Sequence, residues 1–226
     1  MRKTKFAIGE FYHIYNRGVD KRNIFENEKD FKRFYQSIQE FNTTENVISL
    51  YEFLRKKNQF RSSTPKSSKS SKLVRFIAYC INQNHFHFIL EPLVEDGIQK
   101  FMHKVSTGYT NYFNDTHKRS GALFQGRYKS IHIDTNEYLL HLSVYVNLNN
   151  LIHKGLNKPW LKNFPFSSLN VYIDSKIKNN LCNPEIILEQ FSSRQEYFTY
   201  AKETLSEIIL RKEEIKEESK IFLDPI

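Results

Sequence analysis

The sequence predicts an α+β fold built around an antiparallel sheet, and three observations carry that reading. Leu73–Ile81 and His85–Leu90 are apolar, aromatic and β-branched runs joined by Asn82-Gln83-Asn84, the signature of an antiparallel hairpin at the centre of a sheet. Phe31, Phe34, Tyr35, Ile38 and Phe41 recur at steps of three and four, as do Ile98, Phe101, Met102, Val105, Tyr109, Tyr112 and Phe113, so two amphipathic helices accompany the hairpin. Short strand-like stretches stand at either side: Phe11–Tyr15 near the start, and the segment running into Ile133.

In chain order, the first strand ends at the turn signal Asn16-Arg17-Gly18, and Arg17, Lys21 and Arg22 make the following loop basic. Asn27 is placed to cap the first helix. Residues 46–54 fit strand and helix equally well. Arg55 to Arg75 carries eight Lys or Arg and no acid, and its Ser-rich centre, residues 58–72, is too polar to order itself against a core. That insertion reads either as a nucleic-acid-grasping arm or as a solvated loop. Pro92 ends the hairpin before the second helix. Gly121 and Gly126 then hinge a basic segment into the last strand, permitting close approach of the backbone, with Arg127 the preferred phosphate contact. Asp134-Thr135-Asn136-Glu137 resembles a capping box, and the helix it opens aligns Tyr138, Leu142, Tyr145 and Asn149 along one stripe. Asn183-Pro184 starts a short helix, and Ser193-Arg194-Gln195-Glu196 caps a terminal helix expected to reach about Arg211.

Composition bounds the partners. With 226 residues the chain can bury a sizeable core. Its net charge of +9 accompanies 13 Tyr and 19 Phe, a combination suited to a polyanion whose bases can stack. No apolar run approaches the roughly 20 residues of a spanning helix, and Met-Arg-Lys-Thr-Lys is followed by no apolar leader, so a cytoplasmic protein without a membrane partner is expected. Cys80 and Cys182 are the only cysteines and suggest neither a disulfide framework nor a zinc finger. Phosphate-binding and dinucleotide fingerprints are both absent, so no nucleotide cofactor is expected.

Asn84-His85-Phe86-His87 carries the chemistry. In a strand, residues i and i+2 leave one face, so His85 and His87 project side by side while Phe86, Phe88 and Leu90 point to the core. Such a pair can offer two neutral nitrogens to one metal ion, or sit half exposed and hydrogen-bonded to neighbours. A stripe bearing Tyr145 and Asn149 would likewise suit a core rim, or a site facing the histidines.

Four segments in order resemble the HUH single-tyrosine transposases, the small insertion-sequence and REP-associated tyrosine enzymes: Tyr12-His13-Ile14-Tyr15-Asn16-Arg17-Gly18, Asn84-His85-Phe86-His87, Gly121 through Ser130, and Tyr145-Val146-Asn147-Leu148-Asn149. The family pattern has Pro where this chain has Asn150, and the Ser-rich insertion is no core feature of the family. The resemblance implies a ferredoxin-like αβ sandwich with a central antiparallel sheet. It implies a catalytic domain over residues 1–175 and leaves 176–226 as a C-terminal helical extension. It further implies Tyr145 as nucleophile, with Tyr138 in reserve, and Mg²⁺ or Mn²⁺ held by His85, His87 and Asn149. Contacts to DNA would come from Tyr12, Asn16, Arg17, Arg127 and Lys129. The substrate would be single-stranded DNA, hairpin or palindromic, cut through a 5′-phosphotyrosine intermediate and rejoined, by a monomer or a homodimer. Two other readings share parts of this pattern: a non-catalytic RNA-recognition-like sheet, and a replication-initiator or relaxase nickase.

Overall fold

A computed structural model describes residues 5–46, 71–152, 167–177, 179 and 181–221. The ambiguous stretch 46–54 beyond Asn46, the Ser-rich insertion up to residue 70, and the aromatic segment 159–166 lie outside the described residues. Four strands form one antiparallel sheet: β1 (Phe11–Arg17), β2 (Val74–Asn82), β3 (His85–Pro92) and β4 (Lys129–Ile133), in spatial order β2-β3-β1-β4. With α1 (Glu28–Glu40) and α2 (Gly97–Thr116) crossing between them, this is the expected α+β arrangement of a ferredoxin-like sandwich.

One face of the sheet is the hydrophobic core. Phe86, Phe88 and Leu90 of β3 are fully buried there, and Phe86 meets Phe34 of α1 at 5.6 Å between ring centroids. Phe76 of β2 meets Phe88 at 5.2 Å and Phe101 of α2 at 5.5 Å. Each fully buried phenyl contributes on the order of 2–3 kcal/mol, so this face holds the sheet against both helices. Asn27 caps α1 as expected: its side chain accepts from the Asp30 backbone N–H, and the Asp30 carboxylate accepts from Asn27 in return.

The hairpin departs from expectation in one respect, since β3 is central but β2 is an edge strand. β1 takes the other side of β3, pairing Tyr15 with His87 and Arg17 with His85, which extends β1 two residues through the expected turn. C-terminal segments cover the free edge of β2, where Ser168 N–H donates to Tyr79 O at 2.9 Å and Asn183 N–H to Phe76 O at 2.8 Å. An edge protected in this way is closed to pairing with another chain.

The opposite face carries α3 (Asn136–Asn147), which packs on β2, β3 and β4. Its cap is Thr135, whose Oγ1 accepts from Tyr138 N–H, one residue later than the capping box expected at Asp134. Leu148 leaves helical geometry at φ −107°, and Asn149 instead begins the short helix α4 (Asn149–Ile152), so Asn149 is not on the tyrosine helix. A Pro after Asn149 would bias that residue away from helix; Asn150 lets the turn continue.

Beyond these, α5 (Leu169–Ile173), α6 (Glu185–Leu188) and α7 (Arg194–Ile221) follow. The Ser193 hydroxyl accepts from Glu196 N–H, but Glu196 accepts from Ser192 N–H, so the expected box is only half formed. α7 runs ten residues past Arg211 because the Glu- and Lys-rich sequence is a strong helix former. It packs on α3 and α5. No described helix is long and apolar enough to cross a membrane.

A buried polar network fixes α3 on the sheet. Tyr197 of α7 accepts from Asn147 Nδ2 at 2.8 Å, Asn147 Oδ1 accepts from the Ser168 hydroxyl at 2.5 Å, and Ser168 Oγ accepts from Tyr79 N–H at 2.9 Å. A network of this kind is stabilising only while every member keeps its partner. Tyr197→Phe, which strands the buried Asn147 amide, is expected to lower unfolding free energy by about 1–3 kcal/mol in urea denaturation.

Candidate active site

The β1–β3 register builds the site. Because paired residues share a face, His13, Tyr15 and Arg17 of β1 stand with His85 and His87 of β3, under α3. Tyr15 stacks on His87 at 5.6 Å, and the His85 and His87 rings stand at 5.2 Å and 86°. Tyr145 reaches down from α3 to place its ring 5.5 Å from His87 and 6.4 Å from His13. Tyr138, two turns earlier, instead neighbours Asp134 and Tyr15.

Hydrogen bonds assign the protons of His85. Asn84 Nδ2 donates to Lys21 O at 3.0 Å, which turns Asn84 Oδ1 toward His85 Nδ1 at 2.6 Å. A carboxamide oxygen only accepts, so Nδ1 carries a proton, and in the neutral form of the ring Nε2 keeps its lone pair. That nitrogen lies 3.0 Å from Asn149 Oδ1, and Asn82 Nδ2 sits 3.0 Å from the first and 2.8 Å from the second. In that form two lone-pair atoms face each other across 3.0 Å. Ligands at right angles around one ion, each at about 2.1 Å, are separated by roughly 3 Å.

These residues fit a divalent cation. The donor set is two imidazoles and a carboxamide oxygen, a borderline set compatible with Mn²⁺ and related ions. Among the described residues no three His, Cys, Asp or Glu side chains cluster, so the carboxamide would be the third protein ligand. Asn149 is fully buried, and its Nδ2 makes no aligned hydrogen bond within the described protein. Its carboxamide nonetheless adjoins the Tyr145 hydroxyl and favours the phenolate. Burial is the larger influence on Tyr145, and together with nearby Cys80 and Tyr15 it pushes the phenol above its ordinary value.

A cavity of about 590 Å³ opens beside His85. Arg17, Lys21 and Lys129 line it and, among the described residues, no acid does, so these residues give it a positive field. Lys21 is aimed there by a strained turn: Asp20 and Lys21 both have left-handed backbone, at φ 53° and 59°.

The expected DNA contacts divide. Arg17 and Lys129 are exposed at the cavity, with Arg17 Nε donating to Gln125 Oε1 at 2.6 Å. Arg127 is exposed in the turn before β4 and outside the cavity lining. Tyr12 is a correction: it alternates onto the core face, is buried, and its hydroxyl accepts from Ala7 N–H and donates to Lys5 O. Asn16 shares that face. It borders the cavity, but its side chain is engaged by Gly126 O and Arg17 N–H. Gly126 and Gly121 have φ of +71° and +85° with nothing within 4 Å of an added Cβ, so backbone conformation, rather than close approach within the chain, calls for glycine.

Sequence reasoning missed His13, Tyr15, Asn82 and Lys21. His13 is the most consequential: it is buried, its Nε2 lies 2.8 Å from His87 Nδ1, and burial lowers its pKa to about 4, keeping it neutral. The available signal was the i, i+2 spacing of His13, Tyr15 and Arg17, which matches that of His85 and His87.

Residues 53–149 match the family model described as "Transposase IS200 like". A solved structure of a REP-associated tyrosine transposase bound to a REP hairpin matches with a TM-score of 0.50 over 81% of this chain and 93% of that one. Sequence identity to it is 10%, so this likeness concerns the fold. No curated protein matches the chain.

The phenol of Tyr145 is expected to stay protonated at pH values up to about 10 in metal-free protein, since burial raises it above the ordinary tyrosine value. Tyrosine ¹³Cζ spectra of wild type and Tyr145→Phe identify its resonance, and a midpoint below about 10 would contradict the burial argument.

Proposed function

We propose that this chain, which carries the IS200-like transposase family domain over residues 53–149, cuts and rejoins single-stranded DNA with Tyr145 as the nucleophile. The observation that carries the reading is the convergence of Tyr145 on His87, beside a pair of lone-pair atoms on His85 and Asn149, at the edge of a positive cavity. In the reaction, Tyr145 Oη forms a bond to the scissile phosphorus. The bond from phosphorus to the 3′ oxygen breaks, and that oxygen leaves with the proton the phenol gives up. A 5′-phosphotyrosine and a 3′-hydroxyl result, and the retained phosphodiester lets a second 3′-hydroxyl reverse the step without a nucleotide cofactor.

Tyr145 alone is a poor nucleophile near neutral pH, since its pKa is raised. The Asn149 carboxamide beside the hydroxyl opposes this by favouring the phenolate. His85, His87 and Asn149 would hold Mn²⁺ or Mg²⁺, which when bound supplies positive charge for the phosphate oxygens. Arg17, Lys21 and Lys129 would bind the flanking phosphates. The substrate we propose is single-stranded DNA with a hairpin, like the hairpin bound by the solved relative. Tyr15 offers a ring on which an unpaired base can stack.

Incubation of labelled hairpin-bearing single strands with Mn²⁺ tests this. Wild type and Tyr138→Phe are expected to form a denaturant-resistant adduct, and Tyr145→Phe to reduce it by about 10³-fold or more. An adduct persisting in Tyr145→Phe would refute the nucleophile. Chelator-insensitive binding without any adduct would instead favour a non-catalytic, RNA-recognition-like sheet.

A further inference from the structure

We propose that His13 is a positioning residue that holds His87 in the ring form able to ligate a metal. The inference rests on the metal reading of His85 and His87 above. His13 lies outside the HUH motif, on a neighbouring strand, yet its Nε2 is 2.8 Å from His87 Nδ1, with the ring centroids 5.1 Å apart and the planes within 23°, an edge-to-edge arrangement suited to an in-plane N–H···N bond. One proton lies between two nitrogens. If His13 donates it, His87 carries its own proton on Nε2 and cannot ligate. If His87 Nδ1–H donates to His13, the His87 Nε2 keeps its lone pair.

The second arrangement is the one His85 already adopts, where Asn84 Oδ1 holds the proton on Nδ1. Asn84 and His13 thus act alike on the two histidines, from the turn and from β1 respectively. Such partners fix tautomer and ring orientation before the ion arrives. The sheet makes His13 rigid: it is buried in a central strand, paired with Ile89 on one side and Ile131 on the other. Its ring also stands edge-on to that of Tyr145, 6.4 Å between centroids.

Two measurements on the full chain test the role. In metal-free wild type labelled with ¹⁵N-histidine, long-range ¹H–¹⁵N spectra are expected to show His87 protonated on Nδ1 and bare on Nε2. His13→Phe keeps an aromatic ring but removes the acceptor, and it is expected to populate the other tautomer and weaken Mn²⁺ binding by roughly 10–100-fold in calorimetry. His13→Gln, whose carboxamide oxygen can accept in place of Nε2, is expected to restore both. A wild-type His87 bearing its proton on Nε2 would overturn the proposal, as would a folded His13→Phe with unchanged tautomer and affinity. If His13→Phe fails to fold, the wild-type spectrum and the Gln variant still decide it. Wild type that binds no Mn²⁺ would sink the metal reading instead, and the metal-free spectrum would still judge His13.

Discussion

The antiparallel pairing of β1 with β3 is the constraint on which the rest depends. Its register, Tyr15 opposite His87 and Arg17 opposite His85, puts His13, Tyr15, Arg17, His85 and His87 on one face. A slip of one residue would turn His13, Tyr15 and Arg17 into the phenylalanine core and bring Tyr12 and Asn16 out. The core prevents that slip, because Tyr12 and Ile14 of β1 are buried on the face where Phe86, Phe88 and Leu90 of β3 are buried and cannot be exchanged for His13 and Arg17 without exposing apolar surface. Hydrophobic burial on one face therefore sets the chemistry on the other.

The tyrosine helix packs on the opposite face of the sheet, where it buries Leu139, Leu142, Val144 and Val146. A polar chain adds direction to that apolar packing: Asn147, Ser168, Tyr197 and the Tyr79 backbone are linked by hydrogen bonds at the end of the helix. Such networks are specific in direction, so they fix the helix's rotation as well as its position. That rotation places Tyr145, rather than Tyr138, against the histidines. The terminal helix α7 thus takes part in the site indirectly, through one phenolic oxygen.

Much of this was legible in the sequence. Alternation in residues 85–90 separated imidazoles from phenyls, and the three-four spacing marked α1 and α2. Motif order, supported by the family match, pointed to the same class of protein. What escaped has a common origin. The expected DNA contact through Tyr12 failed because a short strand with aromatic residues on both faces does not reveal which face meets the core. The extension of one helix through Asn149 failed because periodicity is blind to a local break; Leu148 leaves the helix while Asn149 accepts from Asn82 and faces His85.

The sequence by itself determined the element types, the apolar face of β3, the His-x-His pair and the basic character of the surface, since these follow from local spacing and composition. Only the tertiary structure decided that β2 lies at an edge, that His13 backs His87, that Asn84 fixes the proton of His85, and that Asn149 meets it from a separate turn. Most of those facts join residues far apart in the chain. Local preference cannot specify such pairings; strand register and the packing of a common core do.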